Sequence, residues 1–309
     1  MGIDNPLPNE RYWLCPLYSF SCDCESIDLT EVIQIKPIPS ELKDFIRAHN
    51  TPGLPRPDFG MSNWTYSQLC MEAIERDSGS DIASGAEISR ALFSLVNFVQ
   101  ACRLLKKGDV TPGILMLVTP KSPEWSVGVR MITYLSKSGW FDRPEVRYVL
   151  NPSDVPKVNE LVRNISTFHD LGKSDSIDIA LRRFNSSYCG ELEDRLIDQM
   201  IAFESLYIAD DKELGYKLAN RTAFFLGKRR SKIFGEMKKA YDLRGQIVHG
   251  NKKLDQSRLE EAIPRIRECL RQSIRKFLFL MAQGHSLKEI RKRLDENILK
   301  NGRVLSLRE

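Results

Sequence analysis

The sequence predicts an α+β protein, with a mixed, strand-bearing N-terminal half followed by an all-helical C-terminal half. Three observations carry this. Short alternating or apolar runs broken by Pro/Gly loops fill the first 150 residues, whereas from Ser176 onward the apolar residues recur almost continuously at helical spacing. All four tryptophans, Trp13, Trp64, Trp125 and Trp140, lie in the first half. The formal charge of +5 is unevenly divided: from Lys212 to the end there are 25 Lys and Arg against 11 Asp and Glu, and the remainder is net negative. At 309 residues there is room for two domains, placed at 1–150 and 151–309.

In the first half, Tyr12 to Phe20 is aromatic-rich and extended, and Glu31 to Ile38 alternates as a strand that Pro37 and Pro39 stop. Glu41 to His49 reads as a short helix, Thr51 to Asn63 as a Pro/Gly loop and Trp64 to Asp77 as a helix. Ile82 to Lys106 is a long helix with Ile88, Leu92, Leu95 and Val99 on one face and Gly108 past its end. Gly113 to Val118, Ser126 to Leu135 and Glu145 to Leu150 read as strands. This half holds one histidine, His49, and neither a phosphate-binding glycine loop nor a nucleophile elbow; it reads as a sensing or regulatory domain.

Asn151 to Asp154 is a turn and helix N-cap, Val155 to Thr167 a linking helix, and Asp170 to Ser176 a polar loop. Helices follow over Ser176 to Phe184, Glu191 to Ile208, Lys212 to Leu226, Arg230 to about Val248 and Ser257 to Gln283, the last with Pro264 inside it. Ser286-Leu-Lys-Glu289 fits a capping box, opening a basic final helix to Leu299. Within Glu191 to Ile208, Glu204 lies among isoleucines, so its carboxylate either finds a partner, with Arg221 and Arg244 the candidates, or is protonated.

Ile233, Met237, Tyr241, Arg244 and Val248 fall on one face of the Arg230 helix, and His249-Gly250-Asn251 ends it. A guanidinium suits a phosphate oxygen, and a nearby imidazole can move a proton. These are the minimum parts for cleaving RNA through its own 2′-hydroxyl, chemistry that needs no metal. Residues five apart on an ideal helix point about 140° away from each other. Arg244 and His249 therefore meet only if the last turn is distorted or if a second copy brings the groups together across a two-fold axis. The second option is preferred, because an arginine on an apolar stripe points to a partner.

YDLRGQIVHG, with the upstream DRLIDQMIAFESLY and ELGYKLANRTAFFLG, resembles the Apea-like branch of the HEPN superfamily. The resemblance covers roughly Val158 to Gln283 and implies a helical bundle that dimerises, with an Arg-x(4–6)-His motif in the dimer cleft. It further implies a metal-independent endoribonuclease of the kind found in toxins and antiviral defence. Carried over, Arg244 is the phosphate clamp and His249 the acid/base; beside them, Glu204, Tyr241 and Asn251 are supporting candidates. Lys228, Arg229, Arg230, Lys232, Lys252 and Lys253 would steer the RNA strand. Gly245 departs from the pattern, where such nucleases often carry a polar residue. Arg163 to His169 also fits the motif spacing, but lacks the surrounding blocks and reads as straddling a helix end.

The expected partners are RNA, a second copy of the chain and an unknown activator sensed by the first half, with no membrane and no cofactor. Alternatives are a catalytically inactive RNA-binding or dimerisation module, or a toxin regulated by a nucleotidyltransferase. No apolar run reaches the length of a membrane span, and MGIDNPLPNE lacks the basic start and apolar core of a secretory signal. Pro6 argues against myristoylation. Seven scattered cysteines fit reduced thiols in a cytoplasm, and Cys15, Cys22 and Cys24 lack the second pair a zinc site requires.

Overall fold

The computed structural model describes residues 12–18, 20–22, 27–28, 33–37, 65–69, 85–108, 110–112, 115–120, 125–131, 148–170, 175–208, 214–227, 229–250 and 255–300. The chain divides into two compact units, Met1–Val162 and Arg163–Glu309.

The first unit is built on an antiparallel sheet. Its strands are β1 (Tyr12–Tyr18), β3 (Ile27–Asp28), β4 (Ile33–Pro37), β5 (Thr65–Leu69), β6 (Thr111–Pro112), β7 (Leu115–Pro120) and β8 (Trp125–Met131). They run in the order β3-β4-β5-β1-β7-β8, with β6 also paired to β1. On β1, Trp13, Cys15 and Leu17 are all buried, the two-residue period that sends alternate side chains to one face. A separate parallel ladder joins β2 (Phe20–Cys22) to β9 (Tyr148–Leu150).

Helix α1 (Gly85–Leu105) covers this core. Phe98 meets Phe20 edge-on at 6.3 Å, and Phe20 stacks on Tyr148 at 5.9 Å, so helix and ladder share one aromatic cluster. Ala91, Leu95, Phe98, Val99 and Cys102 are buried, while Ile88 and Leu92 are only half-buried; the core-facing stripe is rotated from the one read in the sequence. α1 is the one helix among the described residues long and apolar enough to cross a membrane, and most of it is buried inside the protein. Burial pushes the Cys102 thiol far up, leaving it an inert core group. Lys106, just past the helix, pairs with Asp154, whose carboxylate also accepts from the Asn151 N–H at 3.1 Å.

The helix expected over Trp64 to Asp77 is corrected at its start, where Thr65–Leu69 is a strand between β4 and β1. Thr and Tyr favour the pleated conformation, and pairing along both edges satisfies the strand's backbone in a way no isolated helix could. The expected helix at Glu41 to His49 and loop at Thr51 to Asn63, with Trp64 and Trp140, lie outside the described residues.

After a 3₁₀ turn at Pro152–Asp154, α2 (Val155–Asp170) crosses the seam between the units. Arg163 and His169 both lie inside it, so this second Arg/His pair does not straddle a helix end. The second unit continues with α3 (Asp175–Ser186), α4 (Leu192–Tyr207), α5 (Leu214–Leu226), α6 (Arg230–Val248), α7 (Gln256–Ala282) and α8 (Leu287–Leu299).

α4 is the hub, touching α3, α5, α6 and α7. Its Leu196, Met200, Phe203 and Tyr207 are fully buried, each contributing roughly 1.5–3 kcal/mol of burial free energy. Tyr207 packs edge-on to Phe225 at 5.6 Å and Phe277 at 5.2 Å, and its hydroxyl donates to Ser273 Oγ at 2.8 Å. Burial pushes that phenol well above its ordinary range. α7 continues through Pro264, and the Ser286/Glu289 capping box opens α8 as the sequence predicts.

Basic residues close the C-terminal ends of neighbouring helices. Arg267 donates to Ser187 O just past α3 at 2.8 Å, Lys276 to Phe225 O in α5 at 2.6 Å, and Arg291 to Leu206 O in α4 at 2.8 Å. Each cation neutralises carbonyls that the helix itself leaves without partners. Part of the positive charge concentrated after Lys212 is therefore turned inward.

Candidate nucleic-acid interface

α6 carries the Arg/His motif, and its placement follows from its seat on α5. The ring of Tyr241 lies directly over Gly215; a Cβ there would sit 2.7 Å from the ring, so only glycine lets the helices close at this point. On α6 the buried side chains are Met237, Ala240 and Leu243. The expected stripe is thus buried only at Met237: Ile233, Tyr241 and Arg244 are half-buried and Val248 is 54% exposed.

The Arg244 guanidinium reaches Glu204 on α4, with Nη2 3.7 Å from Oε1. Of the two candidate partners for Glu204, the structure selects Arg244. The contact is longer than a hydrogen bond, and both Glu204 Oε1 and Arg244 Nε are buried without a hydrogen-bond partner. Burial pushes the Glu204 carboxyl up, and the attraction of Arg244 offsets only part of that rise. Arg244 also stands 5.9 Å from the Tyr241 ring centroid, at the outer limit of a cation–π contact. Its side chain remains 29% exposed, enough to meet an incoming anion.

Arg221 is engaged elsewhere. Its Nε and Nη2 bind both oxygens of Asp295 on α8 at 2.8 Å, and its Nη1 donates to Tyr207 O at 2.6 Å. This fork-to-fork pair closes the end of α4 and ties α8 to the bundle.

His249 is exposed at the tip of α6. Its N–H donates to Gly245 O at 3.0 Å, the regular i to i−4 spacing, and Gly250 follows with φ of 67°. The helix keeps its regular bond up to His249, where the chain turns off with Gly250 N–H bonded to Ile247 O, so the two motif side chains leave α6 about 140° apart. At Gly245 an added Cβ would meet nothing within 4 Å, so a polar side chain has room there.

Among the steering residues, Arg229 is exposed in a left-handed conformation (φ 52°), and Arg230 lies over the Phe224 ring at 4.5 Å. Lys232 is 63% exposed and 3.8 Å from Glu236. Lys228, Asn251, Lys252 and Lys253 lie outside the described residues. A groove of about 180 Å³ between α6 and α7 is lined by Glu236, Lys239, Leu243, Arg258 and Arg265, and Arg244 and His249 take no part in it. Among the described residues, no group of three or more His, Cys, Asp or Glu side chains could hold a metal ion.

Sequence reasoning missed the Gly215 seat, the Asp295 partner of Arg221 and the aromatic contacts of Arg230, all of which depend on which helices become neighbours. Compared with protein-family models, curated proteins and solved structures, the chain matches none.

Proposed function

We propose that the second unit is a HEPN-type helical bundle acting as a metal-independent endoribonuclease, built as a homodimer in the cytoplasm. The observation that carries this reading is the under-satisfied Arg244, held near a carboxylate 3.7 Å away with its Nε unpartnered, on the same helix that ends in an exposed His249. Arg221, by contrast, has its guanidinium bonded to Asp295 and to the Tyr207 carbonyl.

In the proposed reaction, His249 takes the proton from a ribose 2′-hydroxyl or returns one to the departing 5′-oxygen. The 2′-oxygen bonds to phosphorus as the phosphorus–5′-oxygen bond breaks, leaving a 2′,3′-cyclic phosphate. Arg244 stabilises the charge that builds on the phosphoryl oxygens. Because the two side chains diverge along one helix, a working site draws Arg244 and His249 from different subunits across a two-fold axis. The first unit would sense the activating signal of an antiviral or toxin-like system.

The test is incubation of purified full-length protein with total RNA in the presence of EDTA. Cyclic-phosphate fragments are expected from the wild type and neither from Arg244→Ala nor from His249→Ala. Cutting that persists in both variants refutes the assignment. A second reading, an inactive RNA-binding or dimerisation module, is favoured by Gly245, and predicts RNA retention without fragments from the wild type.

A further inference from the structure

The α5–α6 hairpin carries two aromatic contacts between its helices, one of them with a cation. Tyr216 on α5 is 57% exposed. It is held edge-on by Phe234 of α6, with ring centroids 5.7 Å apart. Two turns further along α5, Phe224 lies under the Arg230 guanidinium at 4.5 Å. Phe224 lies eight residues from Tyr216, about 12 Å along α5 and about 80° around it. Arg229 and Lys232, on either side of Arg230 in the chain, are exposed, and Glu236 stands 3.8 Å from Lys232.

A lone exposed tyrosine needs no explanation. Here the ring is braced by a second aromatic, leaving a face open to solvent, and a ring carrying a stacked cation follows about 12 Å along α5. Aromatic faces with interleaved cations match a polyanion whose flat groups are accessible, which is an unpaired strand rather than a duplex.

We propose that this edge is a stacking platform for single-stranded RNA: an unpaired base lies on the Tyr216 ring, while Arg229, Arg230 and Lys232 hold the adjoining phosphates. The choice of RNA over DNA rests on the ribonuclease reading. Phe234 and Arg244 are ten residues apart on α6, about 15 Å along the helix. The platform therefore grips the strand a few nucleotides from the scissile phosphate and gives the site a preference for unpaired substrate.

The experiment uses the full-length His249→Ala protein, so that RNA is not cut, and follows a fluorescein-labelled oligouridylate by anisotropy. Tyr216→Ala should weaken binding about tenfold, the loss expected for one stacked base. Tyr216→Phe keeps the ring and should bind within about twofold of the parent. Neither change should alter binding of a duplex RNA of equal length.

The proposal is overturned if Tyr216→Ala binds like the parent, if single strand and duplex weaken together, or if the parent does not bind the oligouridylate. It is also overturned if Tyr216→Ala changes the oligomeric mass rather than RNA affinity, which would make the edge a subunit contact. Cleavage is read separately with the wild type. Absence of fragments alongside the expected binding pattern sinks the ribonuclease reading and leaves the platform; EDTA-resistant cleavage with Tyr216-independent binding sinks the platform alone.

Discussion

Arg221 on α5 and Arg244 on α6 belong to neighbouring helices of the same unit, yet their guanidiniums meet different surroundings. Arg221 is 8% exposed, with a bidentate pair to Asp295 and a third bond to the Tyr207 carbonyl. Arg244 has a carboxylate at 3.7 Å, a ring at 5.9 Å and a buried Nε with no partner. Saturating a buried arginine's donors removes the cost of taking it out of water; leaving them open keeps that cost in the folded state until an anion arrives. The first arrangement holds helices together, and the second leaves a donor open, which the proposed function assigns to a phosphate.

The strongest way to break this contrast is to remove each side chain and measure both stability and cleavage. Arg244→Ala and His249→Ala should each lower RNA cleavage by about 100-fold or more, the scale of losing a transition-state donor or a general acid–base. Their urea midpoints should correspond to a change within about 1 kcal/mol, since the Arg244 pair is long and His249 is exposed. Unfolding of Arg244→Ala would put it in the same class as Arg221 and end the distinction.

Arg221→Ala is expected to do the reverse. It strands the Tyr207 carbonyl and unties the half-exposed Asp295, with a loss of about 1–3 kcal/mol in denaturant unfolding, while cleavage per folded molecule is retained. Gly245→Ala should add about 0.5–1 kcal/mol, because the site is a regular helix position with open space where the methyl group goes. A fall in stability would mean that the space is taken by a second subunit.

The smallest expected effect is that of Glu204→Gln. Burial raises the Glu204 carboxyl above its usual range, so the folded state holds that proton more tightly than the unfolded state does. Stability therefore falls as pH rises from the ordinary glutamate range through the raised folded value. Glu204→Gln should flatten that slope in urea unfolding followed across pH 4 to 8, a change within about 1 kcal/mol. A slope that steepens instead would show that Arg244 and the carboxylate form a net-favourable pair.

Much of the helical unit was legible because each helix declares itself locally. The buried stripe Leu196, Met200, Phe203 and Tyr207 repeats at three and four, Gly250 takes a positive φ, and Ser286 and Glu289 cap each other. Glu204 among isoleucines announced that a cation must approach, and Arg244 does. What stayed hidden depends on partners distant in the chain. Thr65–Leu69 is a strand because β4 and β1 flank it, and Arg221 finds Asp295, 74 residues away. Arg267, Lys276 and Arg291 look like surface charge in the sequence, but bond to carbonyls at helix ends. The sequence Ser166-Thr167-Phe168-His169-Asp170 carries no clear helix stop, which is why Arg163 and His169 read as divided when one helix holds both.

The central claim, that Arg244 and His249 act from different subunits, is tested by mixing two dead proteins. Arg244→Ala and His249→Ala chains, unfolded together and refolded as one sample, form mixed dimers in which one site inherits both intact groups. The account predicts that cleavage returns to about a quarter of the wild-type rate, from half the dimers each with one of two sites alive. A mixture as inactive as its two components, with mixed dimers demonstrably present, would contradict it.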